Sequence, residues 1–322
     1  MRITVPDYYE AFQCLGGQCP HTCCEKWEVV IDDATAARYA AETGTLGKRL
    51  RDTLRRDEDG DWCFPLRGGR CPFLDGENLC EIHRTLGQDA TSVTCQEHPR
   101  FVEDYGAFRE VTLSASCPAA NALLLGSEAP LTFHVLETAE PEEDGDEWLE
   151  VLLPLRAALL ETLADRSVPL RQRLRSFLTQ AAQAQPRLDG GETPDETLEP
   201  LFPAALELLA SLEVLDEDWP SLLRQAELAE IVSQPPQLLE RIAVYFAFRY
   251  LLKAVNDGDL LGRAELCVFA VLVLERLAAV CGLPEALRRF SAEVEHDDDN
   301  LDALLDAFRW RFSLGDFLSA LD

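Results

Sequence analysis

The sequence predicts a mainly α-helical protein in which a cysteine-rich, metal-binding N-terminal region of loops and short strands precedes a helical bundle. Three observations carry that expectation. Nine of the eleven cysteines fall in the first 117 residues. From residue 148 onward, apolar residues recur at helical spacing in one segment after another. Between the two regions, residues 137–147 (ETAEPEEDGDE) are acidic and contain a proline, the composition of a linker. The expected organisation is a cysteine-rich domain over 1–125, an acidic linker over 126–147 and a helical domain over 148–322.

In chain order, the first region is punctuated by Leu15-Gly16-Gly17, Arg67-Gly68-Gly69 and Asp75-Gly76, which read as turns, and 27–32 (WEVVID) reads as a short strand. The helical spacing then predicts helices over 148–164, 170–184, 198–212, 220–232, 236–255, 262–280, 284–295 and 301–321. The polar stretch 187–197 (RLDGGETPDET) is expected to be a loop between the second and third of these. No repeat of 20 to 50 residues is present, so a solenoid is not supported.

A disulfide framework belongs to secreted chains too small to build an adequate core. With 322 residues, 47% of them hydrophobic, this chain can bury a core without staples. The opening MRITVPDYYEAF lacks the basic and continuous apolar regions of a signal peptide. The longest apolar run, 266–274, is closed by Glu275 and Arg276 at about half the roughly 20 residues of a membrane span. The expectation is a cytoplasmic protein with no membrane partner, where clustered thiols stay reduced and hold metal. With 29 basic against 58 acidic residues, the formal charge of −29 repels phosphate backbones and excludes nucleic acid as a natural ligand. That charge reads either as a solubilising or salt-adapted surface, or as one that recruits a basic substrate.

Eight cysteines form a spaced series: Cys14, Cys19, Cys23, Cys24, Cys71, Cys80, Cys95 and Cys117. Zinc ribbons favour C-x2-C knuckles, and none occurs here. Iron–sulfur clusters accept thiolates from more scattered loops, so the irregular spacing favours a cluster. Adjacent side chains diverge in extended chain, so Cys23 and Cys24 are not expected to bind one metal together. The leading four ligands are Cys71, Cys80, Cys95 and one of Cys23 or Cys24. The series could equally fill two four-thiolate sites.

Residues 6–27 (PDYYEAFQCLGGQCPHTCCEKW), Cys71-Pro72-Phe73-Leu74, Leu79-Cys80-Glu81-Ile82, Leu86-Gly87, Thr94-Cys95, His98-Pro99-Arg100 and Ser116-Cys117-Pro118 resemble the flagellin lysine N-methylase family. That family is related to the zinc- or iron-chelating CxxCC domain proteins. Tyr245-Phe246 with Arg249-Tyr250, Asn256-Asp257-Gly258-Asp259, and Ser291 with Glu293-Val294-Glu295-His296 and Asn300-Leu301 resemble its C-terminal signatures. The resemblance covers most of the chain, least so 140–235. It implies methyl transfer from S-adenosylmethionine to lysine side chains of flagellin, with a 4Fe-4S cluster as cofactor. Neither a strand followed by G-x-G-x-x-G nor a C-x3-C-x2-C radical motif is present, since Lys26 stands where the third cysteine would be. Any donor site is therefore of another type.

Lysine is protonated at neutral pH, with an ordinary pKa of about 10.4, so methyl transfer needs desolvation or a base. Glu293, Glu295 and His296, beside Asp297, are the candidate catalytic residues. On a regular helix Glu293 and Asp297 would share a face, as would His296 and Asn300. The competing reading is a charged helix terminus, with 297–299 capping the helix that follows. Arg249 and Arg100 are candidates for binding the donor. Arg249 with Lys253 forms a strip that would pair with the acidic cluster or lie in solvent, and Arg100 would bond cluster sulfur, bind the donor or form a surface ion pair.

Tyr8, Tyr9 and Phe12 are expected to pack over the metal site. His21, His83 and His98 read as loop histidines, each within three residues of a cysteine and so able to replace one thiolate. Cys63, Cys267 and Cys281 read as ordinary thiols. Two function classes follow: an iron–sulfur-dependent protein lysine methyltransferase, or a non-catalytic zinc- or iron-binding protein whose helical half holds a partner.

Overall fold

The structure is a computed structural model that describes residues 1–57, 59–138, 144–188 and 200–322. The chain is mainly helical, with fourteen α-helices among the described residues and seven short strands: β1 (Arg2–Pro6), β2 (Val30–Ile31), β3 (Arg55–Arg56), β4 (Trp62–Cys63), β5 (Arg100–Asp104), β6 (Phe108–Leu113) and β7 (Phe133–Glu137). It divides into two compact units. One comprises Met1–Ala11, Val102–Ser116 and Asn121–Asp322; the other comprises Phe12–Phe101 and Cys117–Ala120.

The larger unit holds a four-stranded sheet of order β5-β6-β1-β7. β1 runs parallel to β6 (Arg2↔Phe108 to Thr4↔Glu110) and antiparallel to β7 (Arg2↔Glu137 to Pro6↔Phe133). This corrects the expected division: residues 1–11 and 102–116 belong with the helices, because β1 can close its ladder only with strands that flank the cysteine-rich stretch. The expected linker 126–147 likewise contains β7, and its residues 139–143 lie outside the described residues. So do residues 189–197 of the expected loop.

The helices follow the sequence pattern closely. Leu149–Ala164, Leu170–Ala184, Leu201–Ser211, Trp219–Leu228, Pro236–Tyr250 and Leu260–Cys281 match predicted segments to within a few residues. Leu260–Cys281 is apolar around most of its circumference, as a fully surrounded helix must be, and its buried residues run almost unbroken from Leu260 to Ala278. Asp259 caps it, accepting the Gly262 N–H at 2.9 Å. Two predictions are corrected. The segment 301–321 is two helices, Asp298–Trp310 and Leu314–Ala320, because Ser313 and Asp316 form a reciprocal capping box that starts the second. The segment 284–295 is α-helical only to Phe290 and continues as a π-turn, Ser291–Glu295.

Buried ion pairs tie this unit together. Arg156 grips Glu110 of β6 through two bonds of 2.6 Å. Glu240 takes both Arg166 (2.8 Å) and Arg173 (2.7 Å). Such bidentate contacts orient their partners as well as neutralising them.

In the smaller unit, β2-β4-β3 form a three-stranded sheet beside the helices Asp33–Ala41, Gly44–Thr53, Glu81–Leu86 and Val93–Glu97. Its core is Ile31, Ala36, Tyr39, Leu50, Phe64, Phe73, Ile82 and Ala90, with Cys71 and Cys80 packed against it. The strand expected over 27–32 is shorter than predicted, since Asp32 leaves it to cap the next helix by accepting the Thr35 N–H at 2.9 Å.

Candidate functional site

All eight cysteines of the series lie in the smaller unit. Local hydrogen bonding gathers four of them. Cys71 donates its N–H to the Cys24 carbonyl at 2.8 Å, and Lys26 donates to Gly69 at 2.7 Å, so the Cys23–Cys24 segment is laid against the one that begins at Cys71. Glu25 and Arg70 form an ion pair across the same junction. Asp75 accepts the N–H groups of Glu77 (2.8 Å) and Leu79 (3.0 Å), folding 71–80 into a tight turn that returns Cys80 to Cys71. Asp32 accepts the Val93 N–H at 3.0 Å and so anchors the short helix that carries Cys95.

The outcome is one cavity lined by Cys24, Cys71, Cys80 and Cys95 together with Trp27, Ile31, Tyr39, Phe64 and Ile82. Cys71, Cys80 and Cys95 of the leading four line it, and of the adjacent pair it is Cys24 that does. Burial pushes the Cys71 thiol up to about 12 and Cys95 up to about 11, and raises Cys80. Several sulfurs nevertheless meet donors suited to a thiolate: the Phe73 N–H at Cys71, Ile82 and His83 N–H groups at Cys80, and Ser92 at Cys95. A hydrogen bond from Cys23 lowers Cys24 to about 7 and holds Cys23 far above the usual thiol range. Among the described residues, no three His, Cys, Asp or Glu side chains converge closely enough to hold a single metal ion.

The remaining thiols form a second neighbourhood. Cys117, raised chiefly by burial, faces the N–H groups of Ala119 and Ala120 and feels Cys19 and Cys14. Gly16 donates to Cys14 Sγ at 3.4 Å. Cys63 and Cys267 are buried and Cys281 half-buried, apart from both groups, as ordinary thiols. Among the histidines, His98 lies 6.4 Å from the Trp27 ring and is pushed down to about 4 by burial, while His83 sits on the helix Glu81–Leu86. Arg100 stands over the Phe12 ring at 5.6 Å.

The predicted catalytic residues lie in the larger unit, Glu293 and Glu295 on the π-turn and His296 just after it, and the chain leaves helical geometry at His296 and the extended Asp297, which ends the expected face-sharing of Glu293 with Asp297 and of His296 with Asn300. Glu293 accepts the N–H groups of Leu215 (2.8 Å) and Asp216 (2.9 Å) and serves to fix that loop. Asn300 ties the same loop through Glu213 and caps the Glu293 carbonyl at 2.8 Å. Glu295 is buried between the Tyr245 hydroxyl (3.1 Å), the Tyr250 hydroxyl (3.1 Å) and Arg249 Nε (3.0 Å). The expected pairing of Arg249 with the acidic cluster is thus present, and its charge is taken up there rather than offered to a donor carboxylate. Lys253 instead pairs with Glu103 at 2.7 Å. His296 reaches solvent, and its Nε2 lies 2.7 Å from Ser114 Oγ and 2.9 Å from Ser116 Oγ.

Tyr8 corrects another expectation. It is buried in the larger unit, where its hydroxyl is raised well above the usual tyrosine range by burial and feels Arg241, Asp7 and Glu295. Sequence reasoning missed the tyrosines around Glu295 as partners, although Tyr245 and Tyr250 flank Arg249 in one short run. It also missed Trp27, Tyr39 and Phe64 as walls of the thiol cavity. Their only signal was aromatic residues scattered among the cysteines.

The chain is similar to two kinds of known protein. It is 30% identical over 129 residues to the Lysine-N-methylase of Salmonella typhimurium, a match covering 38% of this chain and 32% of that protein. It is 31% identical over 129 residues to the Flagellar biosynthetic protein FliU of Salmonella muenchen, covering 38% of this chain and 76% of that one. The match therefore spans only about a third of the methylase's length. No family model and no solved structure matches the chain. No helix among the described residues is long and apolar enough to cross a membrane. The match to most of the FliU chain, with the lysine-N-methylase match beside it, makes this chain a member of the flagellin lysine N-methylase family.

Proposed function

We propose that the protein is a lysine N-methyltransferase that takes its methyl group from S-adenosylmethionine and depends on a 4Fe-4S cluster held by Cys24, Cys71, Cys80 and Cys95. The observation that carries this reading is the single cavity that four thiols line, from three separate stretches of the N-terminal sequence. A zinc ion bonds thiolates at about 2.3 Å and draws its ligands into contact, whereas a cluster spans a wider cage. The backbone N–H groups aimed at Cys71 and Cys80 are the donors that tune and stabilise cluster sulfur. When bound, the cluster would supply one-electron chemistry.

The acceptor is a protein bearing exposed lysines, flagellin by family membership, and the charge of −29 favours such a cationic partner. In this reading His296 exchanges a proton with the incoming ammonium; the enclosure of Glu293 and Glu295 by fixed partners supports choosing it among the three predicted residues. Ser114 and Ser116 orient its ring.

Anaerobic reconstitution with iron and sulfide, followed by incubation with donor and flagellin and mass spectrometry for added methyl groups, tests the proposal. Each of Cys24→Ser, Cys71→Ser, Cys80→Ser and Cys95→Ser is expected to lose most of the bound iron and all methylation. Cys63→Ser and Cys267→Ser are expected to keep both. Colourless protein with one zinc per chain and no methylation, whatever its iron treatment, would instead indicate the non-catalytic metal-binding reading.

A further inference from the structure

The strand β7 ends the sheet, and its backbone shows which groups are left over. In the β1–β7 ladder, Thr138 donates its N–H to Met1 and Asp7 donates to Thr132, both at 2.9 Å. Antiparallel pairs alternate between bonded and non-bonded positions. With Thr4 opposite Val135 and Pro6 opposite Phe133, residues 132, 134, 136 and 138 therefore turn their N–H and C=O groups toward β1. Phe133, Val135 and Glu137 turn theirs away from it. No described residue meets those outward groups. Val135, at the middle of the row, is 53% exposed.

We propose that this edge docks the protein acceptor, adding an extended, lysine-bearing segment to the sheet as a further antiparallel strand. The proposal rests on the methyltransferase reading for its choice of partner, while the edge itself does not. Three outward residues can exchange up to about six main-chain hydrogen bonds with an added strand, the interaction that gives strand-addition complexes their affinity. The chemistry beside the edge selects a cationic segment. Glu137 is exposed on the strand, and Glu10 lies against His134 at 3.3 Å with its side chain 70% exposed. The edge is also rigidly backed, since the Phe133 ring stacks on Phe248 at 3.9 Å, on the helix that presents Tyr245, Arg249 and Tyr250 to Glu295.

The test uses the whole protein and a ten-residue peptide alternating lysine with valine, plus the same peptide with glutamate in place of lysine. Amide hydrogen exchange should slow at least tenfold at Phe133, Val135 and Glu137 with the lysine peptide and remain unchanged with the glutamate peptide. Val135→Pro removes an outward N–H without touching the β1 ladder, a position where edge strands tolerate proline. It should abolish that protection and raise KM for methylation at least tenfold with kcat within twofold. Glu137→Lys, which leaves the backbone intact, should weaken the lysine peptide in the same direction. Protection without methylation would uphold the docking edge and overturn the enzyme reading. Methylation with no protection, and with unchanged KM in both variants, would overturn the edge. Equal protection by both peptides would overturn the selection for lysine.

Discussion

Glu265 shows how a single residue can report on the interior of the bundle. It is 1% exposed, its Oε1 meets no hydrogen-bond partner among the described residues, and burial, then Asp259 and Asp316, raise its carboxyl well above the ordinary range. In the unfolded chain the same group ionises near about 4.3. Between that value and the raised folded value, the folded state binds the extra proton, so stability falls as pH rises through this window. Glu265→Gln removes the titration and should flatten the curve. Its thermal midpoint should exceed that of the parent at pH 8 by more than it does at pH 5, as differential scanning calorimetry would show. An identical difference at both pH values would mean that Glu265 is ionised inside the fold. Glu295, also buried, is fully partnered, by Tyr245, Tyr250 and Arg249, as burial of a polar group requires.

At the scale of elements, helix start signals govern more than propensity does. Gly262 sits in the first turn of Leu260–Cys281, where alanine would ordinarily be favoured by about 1 kcal/mol. A Cβ at that position would lie 2.5 Å from the Asp259 carboxylate, which caps the helix and also faces Arg309 at 3.3 Å. Gly262→Ala should therefore destabilise the protein by about 1–2 kcal/mol, the size of a lost cap, as measured by urea unfolding. Helix existence was legible in the sequence because apolar spacing survives as burial, and the match at Leu170–Ala184 is residue for residue. The breaks were harder. Ser313 with Asp316 is a capping box readable from sequence, hidden by apolar residues that keep their period across it. The π-turn at Ser291–Glu295 leaves no periodic mark at all, since its fit comes from Leu215, Asp216 and Asn300 reaching it from elsewhere.

For the molecule as a whole, the formal charge of −29 sets a salt dependence. Like charges repel more in the compact state, and salt screens them over about 10 Å at 0.1 M. Raising sodium chloride from 20 to 500 mM should lift the thermal midpoint, by about 2–4 °C for each kcal/mol recovered. The same change should weaken a basic acceptor protein, seen as a higher KM. That the cysteines of the series gather was legible, because their density in one region is a sequence property. That Cys24 lines the cavity beside Cys71 was not, because it depends on the bond from Cys71 N–H to the Cys24 carbonyl, between residues 47 apart. The placement of β1 between β6 and β7 has a consequence for how the chain assembles. Residues 2–6 are made before the whole cysteine-rich stretch, yet they find their neighbours only once 108–113 and 133–137 exist. The cysteine-rich unit is in effect an insert between the threads of a seam, so it cannot be removed by one cut at either end. Separating all of it takes a cut on either side of each of its two stretches, 12–101 and 117–120, and a seam closed over more than about a hundred residues folds late.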